Sequence, residues 1–368
     1  MILCDIYTII ITVHEILYNI FRDFYNYKEE ITVNNAVIEG LEIWLPEKEV
    51  DNDYFIKELE KKGVAERKLK IALRLMEDLG RDKRYVPVEE KNSLDMAVKV
   101  SEKLLSQVNT DIEDIDMIKF ASDSPEYTTP CNAIRIANKL GAHNVKKVSD
   151  INTNCLGLTT AFDEASRYML AMDYKKTLVI SSIDVNSFVR KDDPYTYPTL
   201  TSGSCAVLLS QKSEENKRGF IDSINHTGLL EEYLFEFPRN GMKKLLDKET
   251  KIQQEKLKFT PHNVDFLPEV WSNLALELID KNNLNKSDIE HWIFSQFDKK
   301  EVYHTLDELH VSHDKTTYVG DKYGYTGNSS PFLALYDAIQ ENKVSRGDNI
   351  ILTSVGAGYT ITMILYQF

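Results

Sequence analysis

The chain has 368 residues, 42% of them hydrophobic, enough for two ordinary domains or one large duplicated one. A net charge of −14 argues against nucleic acid as the main partner. Four cysteines, at 4, 131, 155 and 205, form no CxxC pair or zinc spacing, and with no secretion signal visible a reduced, cytoplasmic setting fits.

Residues 1–33 read as an N-terminal extension. Met1 to Tyr27 is rich in Ile and Tyr, but Asp5, His14, Glu15, Arg22 and Asp23 interrupt it. No run reaches the roughly 20 apolar residues of a membrane span, and a basic start with a small-residue cleavage site is absent. The segment reads as an extra amphipathic helix packing on the body or on a partner.

Alternation begins at Ala36. Ala36 to Leu45 reads as a strand ended by Pro46, and Tyr54 to Leu79 as a charged helical region. Between 61 and 84, Lys61, Lys62, Arg67, Lys68, Lys70, Arg74, Arg81, Lys83 and Arg84 meet only four acids. That run is either a solvated helix face or a docking surface for phosphates or an acidic protein. Ser93 to Val108 follows as a helix and Met117 to Ala121 as a strand. Thr129 caps the next helix with Pro130 in its first turn, and Gly141 stops it.

Val145 to Ile151 reads as a buried strand. After it comes a helix with Leu158, Phe162, Ala165 and Met169 on one face and Asp163, Glu164 and Arg167 on the other. Cys155 is left at the sharp junction. It is a buried small hydrophobe or a nucleophile, and the unpaired amides and helix dipole there favour the thiolate. Gly157 removes a side chain beside the sulfur, so an acyl group could approach closely.

Thr177 to Ile183 and Ser204 to Leu209 read as strands, and Gln211 to His262 as a polar, variable stretch. The pattern then recurs: helix Asp265 to Lys281, strand Trp292 to Ser295, helix Lys299 to Leu309, strand Thr317 to Val319, helix Ser330 to Glu341, and strands Asn349 to Ser354 and Tyr359 to Tyr366. Two rounds of strand and helix, 34–212 and 213–368, predict an α/β architecture.

The segment Asp150-Ile-Asn-Thr-Asn-Cys155-Leu-Gly resembles the nucleophile segment of β-ketoacyl-acyl-carrier-protein synthase III, a thiolase-fold condensing enzyme. In the same order, Gly80-Arg-Asp-Lys-Arg84-Tyr is similar to its Gly-x-Arg-x-Arg segment, and Thr201-Ser-Gly203-Ser-Cys-Ala-Val-Leu-Leu209 stands where the family has a Gly-Asp-Gly-Ala-Gly strand. Tyr323-Gly-Tyr-Thr-Gly-Asn-Ser-Ser330 and Val355-Gly-Ala-Gly-Tyr359-Thr are similar to its two C-terminal glycine loops. The resemblance implies a five-layer αβαβα thiolase-like fold of two similar half-domains with mixed sheets. It implies a cytoplasmic homodimer acting on acyl-CoA or acyl-carrier protein, with Cys155 as acyl-accepting nucleophile and no cofactor. The Cys155 and Ala357 amides correspond to the oxyanion hole. Arg84, Thr129 and Gly356 correspond to the substrate tunnel or the docking site for coenzyme A or carrier, Thr129 at the position a partner subunit inserts. Glu126 nearby could serve as a base from across the dimer.

Two family residues are missing. The family histidine position falls on Ser295 or Gln296, depending on the register, and the family asparagine position on Tyr325. Ser, Gln and Tyr donate hydrogen bonds but are poor proton acceptors near neutral pH. His304, His310 and His313 match no zinc spacing, so no metal is expected. His304 or His262 is a surface histidine, or a surrogate base if its loop folds inward. Cys205, in an apolar strand, reads as core.

Three readings follow. The first is an acyltransferase that loads Cys155 and passes the acyl group to a second nucleophile. The others are a decarboxylating condensing enzyme with rearranged helpers and a catalytically weak partner of an active homologue. Retention of Cys155 and loss of both helpers favour the first.

Overall fold

The computed structural model describes residues 32–89, 91–228 and 234–368, so most of the N-terminal extension lies outside the described residues. The first half opens with β1 (Val33–Trp44), a ribbon of β2 (Lys48–Asp51) and β3 (Lys83–Val86), and, between these two, helices α1 (Asn52–Lys61) and α2 (Glu66–Asp78). The region read as one long helix is therefore two. Asp51 caps α1 by accepting from the Tyr54 amide at 3.0 Å, and Gly63, at φ 75°, turns the chain before α2.

Next come α3 (Ser93–Gln107), β4 (Met117–Ala121), α4 (Asn132–Leu140), β5 (Lys147–Ile151), α5 (Gly157–Met172), β6 (Lys176–Ile183) and β7 (Gly203–Glu214). The first sheet has the order β1-β7-β6-β4-β5, with β4 parallel to β5 and β6, and β6 antiparallel to β7. Thr129 does not cap α4. The helix starts at Asn132, whose backbone amide and that of Ala133 donate to the Asp150 carboxylate at 2.6 and 2.7 Å. An exposed carboxylate from the end of β5 thus replaces the expected local cap.

The second half holds β8 (Gly219–Thr227), a short ribbon of β9 (Phe235–Glu236) and β10 (Lys258–Phe259), α6 (Leu267–Lys281), β11 (Ile289–Ile293), α7 (Lys299–Leu309), α8 (Ser330–Gln340), β12 (Asn349–Gly356) and β13 (Thr360–Gln367). Its sheet order is β11-β12-β13-β8. β11 pairs parallel with β12, and β13 antiparallel with both β12 and β8. This repeats the β4-β6-β7-β1 order of the first sheet. The strand expected at Thr317 to Val319 is only a parallel bridge between Thr316 and Trp292, at the place β5 holds in the first half.

The core explains the layering. Leu158, Phe162, Ala165 and Met169 of α5 meet Phe332, Leu335 and Ala338 of α8 between the inner faces of the two sheets. Leu94, Val100 and Ile136 of α3 and α4 cover the outer face of the first sheet. Trp271, Leu278, Val302 and Leu306 of α6 and α7 cover that of the second. Helices, sheet, helices, sheet, helices give five layers, and residues 35–212 with 218–368 form one compact unit. Asp163, expected on the solvent face of α5, is buried and accepts from the Ser223 hydroxyl at 2.7 Å.

Candidate active site

Cys155 lies in the loop between β5 and α5. The loop turns tightly: Asn154 has φ 52°, and the Leu156 and Gly157 amides close back on the carbonyls of Thr153 and Asn154 at 3.2 and 2.9 Å. Two of the amides that the sequence leaves unpaired at the helix start are thereby used. The facing hairpin of the second half, Gly356-Ala357-Gly358, is tied to this loop. The Ser354 hydroxyl donates to the Cys155 carbonyl at 2.9 Å, and the Asn154 side-chain amide to the Ala357 carbonyl at 3.4 Å. A Cβ on Gly356 would stand 2.7 Å from the Thr153 carbonyl oxygen, so only glycine lets the two loops meet. Gly157 serves packing rather than access, because a Cβ there would meet Ala121 at 3.1 Å and Asn328 at 3.3 Å.

Among the described residues, neither the Cys155 nor the Ala357 amide donates to a carbonyl of another residue. The sulfur receives the Tyr325 hydroxyl as a hydrogen-bond partner, and Tyr325 in turn lies 3.5 Å from the Ser295 hydroxyl. Tyr325 and Ser295 are both buried. Of the two sequence registers, the structure brings Ser295 to this cluster. Gln296 faces away, donating to the Phe294 carbonyl at 2.7 Å and accepting from the Val319 amide at 2.7 Å.

The thiolate expected from the helix dipole is not favoured. Burial, and then the Asp123 carboxyl, push the Cys155 thiol up to about 12, against the opposing Tyr325 hydrogen bond and the residue's own amide. Cys155 as a residue is partly exposed and lines a cavity. Desolvation outweighs the dipole at this position.

Cys155 opens on a cavity of about 350 Å³ walled by Ile71, Leu75 and Leu79 of the α2 region, Leu200, Leu234, Phe235, Phe259, Leu267, Phe297, Val355 and Tyr359, with Gly356 to Gly358 opposite the cysteine. Its lining is apolar apart from a few groups near the sulfur and the rim, as ligand sites usually are. His262 lies at the rim, its ring 5.7 Å from Tyr359, with Nδ1 2.9 Å from the Thr260 carbonyl. It is exposed, as read, and also lines the cavity.

The remaining candidates lie elsewhere. Arg84 is fully buried. Its guanidinium donates to Asn52 Oδ1 at 2.6 Å and stacks 4.4 Å from the Phe55 ring, so it offers no charge to a phosphate at a tunnel mouth. Arg81, also buried, does line the cavity, but donates to the carbonyls of Leu79, Gln296 and Phe297 at 2.8, 2.9 and 2.6 Å and to the Tyr318 hydroxyl. Of the basic run, Lys62, Arg67, Lys68 and Arg74 stay exposed, while Lys61, Lys70 and Lys83 pair with Glu58, Glu66 and Glu49. Thr129 and Glu126 are exposed on the loop before α4. His304 and His313 pair with Glu308 and Asp307 at 3.8 and 2.7 Å, and Cys205 is core. Sequence reasoning missed Asp123, Phe297 and the β9–β10 ribbon. Asp123 alone had a signal, a charged residue just past the carboxyl end of a buried strand, where α/β proteins place their ligands.

The architecture is that of the thiolase-like class, with the nucleophile loop of one half facing the glycine hairpin of the other. Residues 149–228 match the family model for 3-oxoacyl-[acyl-carrier-protein] synthase III, and residues 279–368 match its C-terminal model. The chain is 30% identical over 278 residues to the β-ketoacyl-[acyl-carrier-protein] synthase III of Azobacteroides pseudotrichonymphae, covering 74% of this chain and 81% of that protein. It is 27% identical over 290 residues to that of Koribacter versatilis, covering 78% and 86%. The crystal structure of the Aquifex aeolicus synthase III superposes with a TM-score of 0.77 at 22% identity, covering 91% of this chain and all of that one. The chain belongs to the β-ketoacyl-acyl-carrier-protein synthase III family.

Proposed function

We propose that the protein is an acyltransferase of the synthase III type, which loads an acyl group from a coenzyme A or carrier-protein thioester on Cys155 and passes it to a second nucleophile. The observation that carries this reading is the placement of Cys155 in the wall of an apolar cavity, opposite a hairpin whose Ala357 amide donates to no carbonyl among the described residues. In the acylation step Cys155 Sγ attacks the thioester carbonyl. The amides of Cys155 and Ala357 receive the oxyanion, and the thiol of the donor leaves. The apolar walls suit the acyl chain and the alkyl part of a pantetheine arm. The exposed Arg67, Lys68 and Arg74 on α2, beside Ile71 and Leu75, would meet phosphates or an acidic carrier at the entrance. No helix among the described residues is long and apolar enough to cross a membrane, and Cys131, Cys155 and Cys205 are free, which supports a reducing cytoplasmic setting.

Incubation with a panel of acyl thioesters, followed by intact-protein mass spectrometry, tests the reading. A stable gain of one acyl mass with at least one donor is expected. No adduct with any short, long, branched or aromatic donor would overturn it.

A further inference from the structure

Asp123 follows β4 by two residues and Cys155 follows β5 by four, and the two strands run parallel with Ala121 opposite Ile151. The Ser122 amide still bonds the Ile151 carbonyl at 3.3 Å, so both loops leave the same end of the sheet together. The loop carrying Tyr325 closes over them: a Cβ on Gly327 would stand 3.6 Å from Asp123 Oδ2, and one on Gly157 3.3 Å from Asn328 Cβ. Both carboxyl oxygens of Asp123 are buried and have no hydrogen-bond partner among the described residues, and the same holds for both polar atoms of the Asn328 side chain. The hydroxyls of Ser181, Ser182 and Thr326 close by also lack a partner among the described residues, whereas those of the two serines flanking Asp123 are bonded. Ser122 donates its hydroxyl to the Ser182 carbonyl at 2.7 Å, and the Ser124 hydroxyl accepts from the Asp184 amide at 2.8 Å. A lone buried carboxyl is costly, and no hydrogen bond among the described residues offsets it.

We infer that the Asp123 carboxylate is the proton acceptor for the Cys155 thiol, an inference that rests on Cys155 being the nucleophile. The titratable groups facing it are Cys155 from the β5 loop and Tyr325 from the closing loop. Arg81 lies 6.0 Å from the Tyr325 ring, and Asp184, at the end of β6, is held by the Asn186 amide at 3.1 Å. Burial pushes the Asp123 carboxyl up to about 7, which places its ionisation where a general base is useful. In the step, the Sγ–H proton passes to Asp123, by rotation of the carboxyl or through one bridging water, as Sγ bonds the thioester carbonyl carbon. The carbonyl electron pair moves to oxygen, then returns to expel the donor thiolate, which takes the proton back from Asp123. One thioester is exchanged for another, with no change of oxidation state.

The test is iodoacetamide alkylation of Cys155, followed by peptide mass against pH from 5 to 9 in the full-length wild type and Asp123→Asn. The wild-type rate is expected to level off above about pH 8, and Asp123→Asn to be slower on the order of a hundredfold there, still rising with pH. A wild-type rate that climbs about tenfold per pH unit to pH 9, or an unchanged variant, would overturn the inference. Coenzyme A thioester loading of the same samples should fall by a similar factor in the variant. Because alkylation needs no thioester, wild type that alkylates with the expected profile but never loads an acyl group counts against the proposed function alone. Melting curves separate a structural role. The folded carboxyl stays protonated to about 7 and the unfolded one to about 4, so ionisation lowers stability as pH rises between them. Asp123→Asn should therefore melt above wild type at pH 8, with the gap closing toward pH 5. A variant that melts lower at pH 8 would mark Asp123 as structural and overturn the inference.

Discussion

Ser295 and Tyr325 stand where the family carries its histidine and asparagine, and their hydroxyls form a short relay to the sulfur. Neither is a good proton acceptor: burial, and then Cys155, hold the Tyr325 phenol well above its ordinary range. Decarboxylation of a malonyl thioester places negative charge on the thioester oxygen, and loss of one preorganised donor costs about 2.7–4 kcal/mol of barrier. Carbon dioxide release from radiolabelled malonyl thioester should therefore stay close to background in a preparation that loads acyl groups readily. Efficient, Cys155-dependent release would put the decarboxylating reading first. A paired substitution probes the same site. Ser295→His alone forces an imidazole into a closed space and should cost about 1–3 kcal/mol in urea unfolding. Adding Tyr325→Asn should recover part of that loss and raise decarboxylation, a coupling absent if the two positions do not meet.

At the scale of the element, Arg81 joins α2 to the loop after β11. Four acceptors, among them the carbonyls of Gln296 and Phe297, receive its guanidinium. Arg81→Ala should cost about 3 kcal/mol or more in urea unfolding, since several buried acceptors would lose their donor together. Arg84 presents the contrast. Burial, and then Arg81, push its guanidinium down to about 9, still protonated at neutral pH, with Asn52 Oδ1 as its one oxygen acceptor among the described residues. Arg84→Met should be neutral to stabilising at pH 7, and a loss above about 2 kcal/mol would show that the Asn52 bond matters more than the buried charge. From sequence the two arginines read alike, as a basic run facing ligand phosphates, because charge says nothing of which way a side chain turns. Strands and helices with strong period, such as Met117 to Ala121 and Lys299 to Leu309, were fully legible. β8 was not, because Asp222, Asn225 and His226 break its apolar pattern at the sheet edge. The nucleophile loop could be read from Cys155 and Gly157. The protonation of its cysteine could not, because desolvation and Asp123 come from tertiary packing.

For the whole molecule, the edge of the first sheet matters most. β6 lies inside the sheet between β7 and β4, so it has no free edge through which a second copy could pair. The edge strands are β1 and β5, and β5 runs directly into the Cys155 loop. Beside it, residues 126–130 are exposed, with Tyr127 stacked 3.6 Å from the Arg135 guanidinium. An unpaired edge of this kind invites a second copy. A dimer by light scattering at micromolar concentration is expected, reduced to monomer by Val148→Pro, which removes an amide on the outer side of β5, since the Lys147 amide and the Ile151 carbonyl bond inward to β4. A monomeric wild type would contradict the pairing. Within one chain, the first half supplies the sulfur and the second the Ala357 hairpin, and acyl transfer requires that these two form one site. Peptide mapping after brief acyl-CoA treatment tests that most directly, with wild type beside Cys155→Ala. The expected result is acyl mass on the Cys155 peptide alone, with none on Cys131 or Cys205 and none in the variant. Fast labelling that persists in Cys155→Ala would contradict it.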